Sequence, residues 1–187
     1  MNTKNDNPTP DKNDKQKTAF NIKEFFQRAK PFILTFLISI AIPLLVGTLA
    51  AFLTKDSMSV YSELTKPPLA PPGWLFPIVW TLLYILMGIS SATFIIMRDP
   101  TDTEVIRRGL GYYGASLVLN FGWSIIFFNV RALTAALVWL IVLLYTVIKT
   151  IIEYKKVSPL AAYLQIPYIA WLCFAGYLNT FYVLFGA

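Results

Sequence analysis

The segment KPPLAPPGWLFPIVWTLLYILMG, residues 66–88, decides the fold. Four prolines stand near its start, and an apolar run follows that carries no charge before Arg98. Proline has no N–H and disfavours helix at the preceding residue, so the start is a stiff, extended lead-in. The apolar run, from about residue 73 to 97, is long enough to cross about 30 Å of hydrocarbon as a helix. The segment therefore predicts a membrane-spanning helix behind a rigid, non-helical stretch.

Similar apolar windows recur along the chain. Of its 187 residues 56% are hydrophobic and only 14% are charged, whereas about a quarter of the residues of a soluble domain are charged. The short alternating segments of a membrane β-barrel do not occur. We therefore expect an all-α membrane protein, a bundle of five transmembrane helices. The predicted spans are residues 31–53, 73–97, 105–128, 132–152 and 159–184.

Residues 1–30 precede the predicted membrane domain, which covers residues 31–187. Residues 1–17 are polar and lack periodicity, so we expect a disordered tail. Residues 18–30 combine phenylalanines with basic residues, which fits either a short interfacial helix or a plain juxtamembrane segment. The longest connection between predicted spans is residues 54–72.

The distribution of basic residues predicts the orientation. Of the 16 lysines and arginines, thirteen lie in the N-terminal tail, in the second-to-third and fourth-to-fifth loops or at the adjoining ends of the spans, which share one side, and three lie on the other side. The positive-inside rule then places the N-terminus in the cytoplasm, the C-terminus outside, and residues 54–72 outside, with a bacterial inner membrane as the expected location. The net charge of +6 is read as this topology signal, and no nucleic-acid partner is expected.

The residue types inside the spans exclude several functions. The chain has no histidine, the middle of each span carries no charge, and Cys173 is the only cysteine. A metal site, an internal disulfide and an ion-coupled pump or channel are therefore not expected. The neutral polar residues are expected to form interhelical hydrogen bonds, and they are Asn120, Gln165, Asn179 and Thr180.

Aromatic residues within the spans point to an internal site. Trp80 and Tyr84 are four residues apart and therefore share one helix face. Trp80 and Trp171 lie too deep in their spans to belong to an interfacial tryptophan belt, whereas the position of Trp74 fits such a belt. On the third predicted helix, one face carries Asn120, Trp123 and Phe127. On the fifth, one face carries Trp171, Ala175 and Leu178. Kinks at Pro43 and Pro167 would make room for a bulky apolar ligand, although such kinks also occur in plain bundles.

Three blocks of sequence resemble the translocator protein family, TspO/MBR, also called tryptophan-rich sensory proteins. They are VYSELTKPPLAPPGWLFPIVWTLLYILMG (60–88), LNFGWSIIFFNVR (119–131) and KVSPLAAYLQIPYIAWLCFAGYLN (156–179). The resemblance covers about residues 35–182. One departure is Leu69, which stands where the family often has a tryptophan after KPP.

The resemblance implies a five-helix bundle, commonly dimeric, with an internal pocket under the loop between the first two helices. Family members bind tetrapyrroles such as protoporphyrin and haem, and several bind sterols or benzodiazepine-like drugs. By matching motifs, the ligand-contact residues would be Ala51, Trp80, Tyr84, Asn120, Trp123, Trp171, Ala175 and Leu178. Gly111 and Ala115 match a small-residue dimer face, and the expected lid residues are Pro67, Pro68, Pro71, Pro72 and Trp74.

Three functions are compatible with this pattern, besides that of a structural protein with an empty cavity. The first is a membrane binding or sensory protein that holds a tetrapyrrole-like ligand, with no obligatory cofactor. The second is a transporter of such ligands that is not coupled to ions. The third is light-dependent porphyrin degradation, for which Trp80 and Trp171 would be the reactive residues. Without histidine, haem would be held by stacking or by a weaker ligand such as a tyrosine or Cys173.

Overall fold

The computed structural model describes residues 22–57 and 67–185, and these residues form helices, turns and short connections. The predicted tail 1–17 and much of the loop 54–72 lie outside the described residues. A 3₁₀ turn, Lys55–Ser57, follows the first helix, and a π-helical segment, Ile125–Val130, follows the third. The α-helices are α1 (Ile22–Thr54), α2 (Leu75–Met97), α3 (Thr103–Ser124), α4 (Leu133–Val157), α5 (Pro159–Tyr163) and α6 (Ile166–Phe185).

Five helical stretches of the described chain are long and apolar enough to cross a membrane. They are Ala29–Ser57, Leu75–Met97, Thr103–Val130, Leu133–Val157 and Pro159–Phe185. The predicted all-α bundle of five membrane helices is therefore confirmed. The first helix begins at Ile22, so residues 22–30 belong to the same helix as the first predicted span.

Prolines set several helix boundaries. At the start of α2, the N–H of Leu75 donates to the carbonyl of Pro72 at 3.0 Å, which forms the first turn after the proline-rich stretch. At the start of α5, Ser158 caps the helix by accepting from the N–H of Ala161, and Pro159 follows at the position where a missing N–H costs nothing.

The fifth span is broken rather than gently kinked. α5 ends at Tyr163 and α6 begins at Ile166, one residue before Pro167, which cannot donate to the carbonyl of Tyr163. Gln165 lies in the break and is buried, and its side-chain nitrogen donates to Ser90 of α2 at 3.1 Å. The break therefore gives a polar side chain a partner on a neighbouring helix.

The first span, by contrast, remains one continuous helix through Pro43. The carbonyl of Ser39, which Pro43 leaves without its usual donor, lies against Gly88 of α2. A Cβ atom added at Gly88 would lie 2.5 Å from Cα of Ile40 and 2.7 Å from the Ser39 oxygen, so only glycine fits this close approach.

The helices differ in how deeply they are buried. Half of the most apolar window of α2 is buried (50%), against 17% for the window of the first span. The most extensive packing is between α3 and α4, followed by α4 with α6 and with α5. α1 is therefore the peripheral helix of the bundle, and the other helices form its packed part.

Candidate ligand-binding cavity

A cavity of about 130 Å³ lies between α1, α2, the end of α3 and α6. None of the residues that line it carries a charge, and most of its surface is apolar. The lining residues are Gly47, Ala50, Ala51, Thr54, Phe76, Pro77, Trp80, Tyr84, Trp123, Ser124, Phe127, Phe128, Trp171, Phe174, Ala175, Leu178 and Tyr182.

Trp80 is the centre of an aromatic cluster in the cavity wall. Its ring is stacked on that of Tyr84, one helical turn away, with centroids 5.4 Å apart and an interplanar angle of 28°. It meets the ring of Trp171 edge-on at 6.4 Å and that of Tyr168 at 6.2 Å. Edge-to-face and offset contacts of this kind favour a fixed ring geometry. The cluster joins α2 to α6 and gives the cavity a rigid aromatic side.

The opposite side of the cavity is formed by small residues of α1. A Cβ atom added at Gly47 would collide with the ring of Tyr84, so glycine lets α1 lie this close to the ring in its present position. Ala50 and Ala51 follow one turn later, and the hydroxyl of Thr54 donates to the carbonyl of Ala50 at 2.9 Å. The empty volume therefore lies where short side chains of α1 face large rings of α2 and α6.

A hydrogen-bonded chain lies behind the aromatic wall. The hydroxyl of Tyr84 donates to Oδ1 of Asn120 at 2.8 Å, and Nδ2 of Asn120 donates to the hydroxyl of Tyr168 at 2.9 Å. Asn120 is completely buried and is not among the residues that line the cavity. A buried amide needs such partners, because leaving it unpaired costs about 1–3 kcal/mol.

The π-helical segment forms the third side. Two adjacent pairs from the end of α3 and from this segment line the cavity, Trp123 with Ser124 and Phe127 with Phe128, and each pair stands four residues from the other. The rings of Trp123 and Phe127 are stacked with centroids 5.0 Å apart. π-Helical turns are rare and occur often at functional sites. The segment ends at Arg131, whose φ of 59° turns the chain towards α4.

The polar groups of the wall are mostly satisfied within the protein. The hydroxyl of Ser124 donates to the carbonyl of Asn120 at 3.3 Å, and the hydroxyls of Tyr84 and Thr54 are engaged as described. The indole N–H of Trp123 is buried and meets no hydrogen-bond acceptor among the described residues. The wall therefore offers apolar ring surfaces and few polar groups that are not already bonded.

The comparisons with known proteins agree with these features. The sequence profile of the TspO/MBR family matches residues 39–184. The chain belongs to the TspO/MBR family. The tryptophan-rich protein TspO of Chlorobaculum tepidum is 36% identical over 148 residues, 79% of this chain and 92% of the relative. The translocator protein of Bos taurus is 37% identical over 139 residues, 74% of this chain and 82% of the relative. The predicted family is therefore confirmed.

The structure brings together most residues that the TspO/MBR motifs single out. The motif residues that line the cavity are Ala51, Trp80, Tyr84, Trp123, Trp171, Ala175 and Leu178. Asn120 lies behind the wall instead. Other lining residues were not predicted, although spacing could have indicated Phe76, four residues before Trp80, and Phe174, three after Trp171. Phe128 was not predicted either, although it stands four residues after Ser124 on the same helix face.

The proline-rich stretch, residues 67–72, forms a turn beside the C-terminal half of α6. The N–H of Ala70 donates to the carbonyl of Pro67 at 3.0 Å, and Leu69 has a φ of 70°, the value that a type II turn requires at its third position. The hydroxyl of Tyr177 in α6 donates to the carbonyl of Pro68 at 2.6 Å. Pro67 and Pro71 are buried, whereas Pro68, Pro72 and Trp74 are exposed.

Two further predicted features lie away from the cavity. Gly111 and Ala115 are exposed on α3, and a Cβ atom added at Gly111 would meet nothing within 4 Å. Cys173 is exposed and does not line the cavity. In the residues that the structure describes, no group of three or more histidine, cysteine or acidic side chains could hold a metal ion.

Proposed function

We propose that this TspO/MBR membrane protein binds a flat, largely apolar ligand of the tetrapyrrole class, such as protoporphyrin, in the cavity. The observation that carries the proposal is the uncharged wall in which the indoles of Trp80 and Trp171 meet edge-on at 6.4 Å. Large aromatic faces stack on a macrocycle, and a small number of polar groups fixes its orientation.

The size of the cavity adds a condition. Its volume of about 130 Å³ is below the roughly 300–1,000 Å³ of pockets that hold drug-sized ligands. A tetrapyrrole therefore enters only if one wall moves outward. α1 is the least buried wall, and Ala51 of α1 and Pro77 of α2 are lining residues that are also exposed. We expect α1 to move away from α2 and α6 when the ligand binds.

The donor atoms near the cavity favour a metal-free macrocycle, or haem held by stacking. The chain has no histidine, Cys173 lies outside the lining, and the hydroxyl of Tyr84 is bonded to Asn120. Histidine, cysteine, methionine and tyrosine are the usual axial ligands of haem iron. Protoporphyrin is therefore the probe of choice.

Tryptophan fluorescence tests this proposal. Protoporphyrin titrated into the purified protein in lipid nanodiscs is expected to quench the fluorescence with saturation. The double variant Trp80→Phe, Trp171→Phe is expected to bind at least about tenfold more weakly, which corresponds to about 1.4 kcal/mol. Trp139→Phe is the control, because Trp139 contacts α3 through the carbonyl of Leu119 and does not line the cavity. Equal affinity in the double variant and the control would contradict the proposal.

Light-dependent oxidation of the bound porphyrin is a second candidate. It is favoured by the contact of Trp80 with Trp171 in the same wall, because two indoles can hold and exchange electrons with an excited macrocycle while that macrocycle loses an electron to dioxygen, which is reduced to superoxide and adds to the oxidised ring. The oxidant would be dioxygen. Illumination of the complex in air is expected to give products that the Trp80→Phe, Trp171→Phe variant does not give, whereas a rate equal to that of free protoporphyrin would exclude this activity.

We further propose a homodimer through Gly111 and Ala115, in a bacterial inner membrane with the N-terminus in the cytoplasm. Small residues allow membrane helices to approach closely, and the space around Gly111 is open in the single chain. Gly111→Leu is therefore expected to leave the monomer folded and to abolish the dimer in nanodiscs or detergent, measured by light scattering. A dimer that persists in this variant would place the interface elsewhere.

A further inference from the structure

Asn120 lies in the third-span motif of the family, yet its amide is not part of the cavity surface. The side chain is fully buried, and both of its ends are bonded to tyrosine hydroxyls, at 2.8 Å to Tyr84 and 2.9 Å to Tyr168. The amide keeps one further N–H and one lone pair, but because the side chain is fully buried and does not line the cavity, a ligand in the cavity does not reach them.

The two tyrosines that Asn120 holds are two of the three rings that contact Trp80, the third being Trp171. Tyr84 is stacked on the indole at 5.4 Å, and Tyr168 meets it at 6.2 Å with an interplanar angle of 67°. Tyr84 comes from α2 and Tyr168 from α6, while Asn120 comes from α3. One amide therefore fixes the rings that flank Trp80 on two helices.

The residue type fits this arrangement closely. The side-chain amide of asparagine is neutral and supplies one acceptor and a donor group, which accept from one hydroxyl and donate to the other. Aspartate would lose the donor and place a charge in a wall without charges, and leucine would leave both hydroxyls without this partner.

We propose that Asn120 is a positioning residue: it makes no contact with the ligand and acts by holding Tyr84 and Tyr168, and through them the indole of Trp80. This inference rests on the proposed binding function. It predicts that replacing Asn120 weakens ligand binding only as long as the two tyrosine hydroxyls are present.

A double-mutant cycle separates this role from direct contact. Asn120→Leu is expected to weaken protoporphyrin binding about tenfold, or about 1.4 kcal/mol, in the wild-type background. In the Tyr84→Phe, Tyr168→Phe background the same replacement is expected to change the affinity less than about twofold. An equal loss in both backgrounds would show that Asn120 contacts the ligand, and would overturn the proposal.

Asn179→Leu is the matched control. Asn179 is also fully buried, and in the orientation that pairs its amide it bonds the backbone of Leu133 and Leu137 at 3.0 Å, away from the cavity lining. This variant is expected to retain the affinity for protoporphyrin. If Asn120→Leu does not fold, the triple variant with Tyr84→Phe and Tyr168→Phe replaces the whole polar chain by apolar groups, which is often tolerated. Its affinity is expected to equal that of the tyrosine double variant, and a further loss would overturn the proposal.

A measurement without ligand keeps the inference separate from the proposed function. The chain has five tryptophans, so labelling with 5-fluorotryptophan gives five ¹⁹F resonances, of which Trp80 is assigned by Trp80→Phe. Asn120→Leu or the triple variant is expected to shift or broaden the Trp80 resonance, and Asn179→Leu is expected to leave it unchanged. An unchanged Trp80 resonance would refute the positioning role. Wild-type protein that binds no protoporphyrin would instead refute only the proposed function.

Discussion

The two ends of α2 differ in how the surrounding helices fill space; its C-terminal end, at Met97, is called inner and its N-terminal end, at Leu75, outer, after the orientation that the positive-inside rule predicts. At the inner end, Phe94 is fully buried and stacked on Tyr154 of α4 with centroids 4.1 Å apart. Gly109 of α3 makes room for this ring, since an added Cβ atom would lie 2.7 Å from its Cζ atom. At the outer end, Phe76 and Trp80 are half-buried and border the cavity.

The difference follows from what stands opposite each end. At the inner end, aromatic rings contact other aromatic rings, and the hydroxyl of Ser90 donates to the carbonyl of Ala161 at 2.6 Å. The helices therefore pack closely there. The rings of the outer end face Ala50 and Ala51 of α1, which are too short to reach them. Well-packed interiors leave few voids, so the void at the outer end is where we propose that the ligand binds.

Two glycines at the contact of α1 with α2 test this difference. Gly47 borders the cavity, and Gly88 lies farther towards Phe94 and is expected to give the larger effect. In Gly88→Ala the new methyl group meets backbone atoms of Ser39 and Ile40, which cannot rotate away. We expect a loss of about 1–3 kcal/mol or more, seen as a lower midpoint of thermal unfolding in nanodiscs. Gly176→Ala in α6 is the control, because the added atom would meet only the end of the Leu140 side chain, at an ordinary contact distance of 3.4 Å. Equal midpoints for the two variants would disprove the tight contact.

Gly47→Ala tests the outer end and is expected to cost less stability. Here the added methyl group meets the ring of Tyr84, a side chain that borders the cavity and has space to move into it. The displaced ring would occupy ligand volume and lose its bond to Asn120, so we expect protoporphyrin affinity to fall about tenfold, or about 1.4 kcal/mol. Fluorescence titration measures the change, and undiminished affinity would argue against a ligand site beside Tyr84.

The turn of residues 67–72 lies beside the same outer end, and its bond to Tyr177 offers a smaller perturbation. Tyr177→Phe retains the ring and removes only the hydroxyl that donates to Pro68, a loss of about 1 kcal/mol. We expect faster hydrogen exchange at the amide of Ala70 and faster release of protoporphyrin, in keeping with a lid role for this turn. Tyr163→Phe is the control, because Tyr163 is an exposed tyrosine on α5, a different helix from that of Tyr177. If hydrogen exchange at Ala70 and the release of protoporphyrin are both unchanged, the role of these prolines is only to start α2.

Leu69→Gly is expected to have the smallest effect. A φ of 70° strains leucine by about 1–2 kcal/mol, and glycine relieves that strain at an entropic cost of about 0.5–1 kcal/mol. The net expectation is a stabilisation below about 1 kcal/mol, seen as slower hydrogen exchange at Ala70. Faster exchange would show that the exposed leucine contributes contacts that outweigh the strain.

The sequence predicted the helices and much of the cavity surface for different reasons. Apolar runs of membrane length predict spans directly, and an i, i+4 spacing places Trp80 and Tyr84 on one face whatever the rest of the protein does. The π-helical segment was not predicted, because nothing in IIFFNV distinguishes a wide turn from an ordinary one. Phe128 was missed as well, although its place four residues after Ser124 on one helix face could have indicated it.

The role of Asn120 marks the limit of motif-based inference. Its place beside Trp123 on a helix face was visible in the sequence, and the family motif suggested a ligand contact. That the amide is instead enclosed by Tyr84 and Tyr168 depends on two other helices, from positions 36 and 48 residues away along the chain.

By itself, the sequence determined that this chain is a five-helix membrane protein of the TspO/MBR family, and which faces of its helices are aromatic. Hydropathy and helical period suffice for that, because both act within a single helix. Only the tertiary structure decided which rings face one another and which face a void. That outcome depends on the distances between helices, and contacts such as those at Gly47 and Gly88 set these distances between residues far apart in the chain.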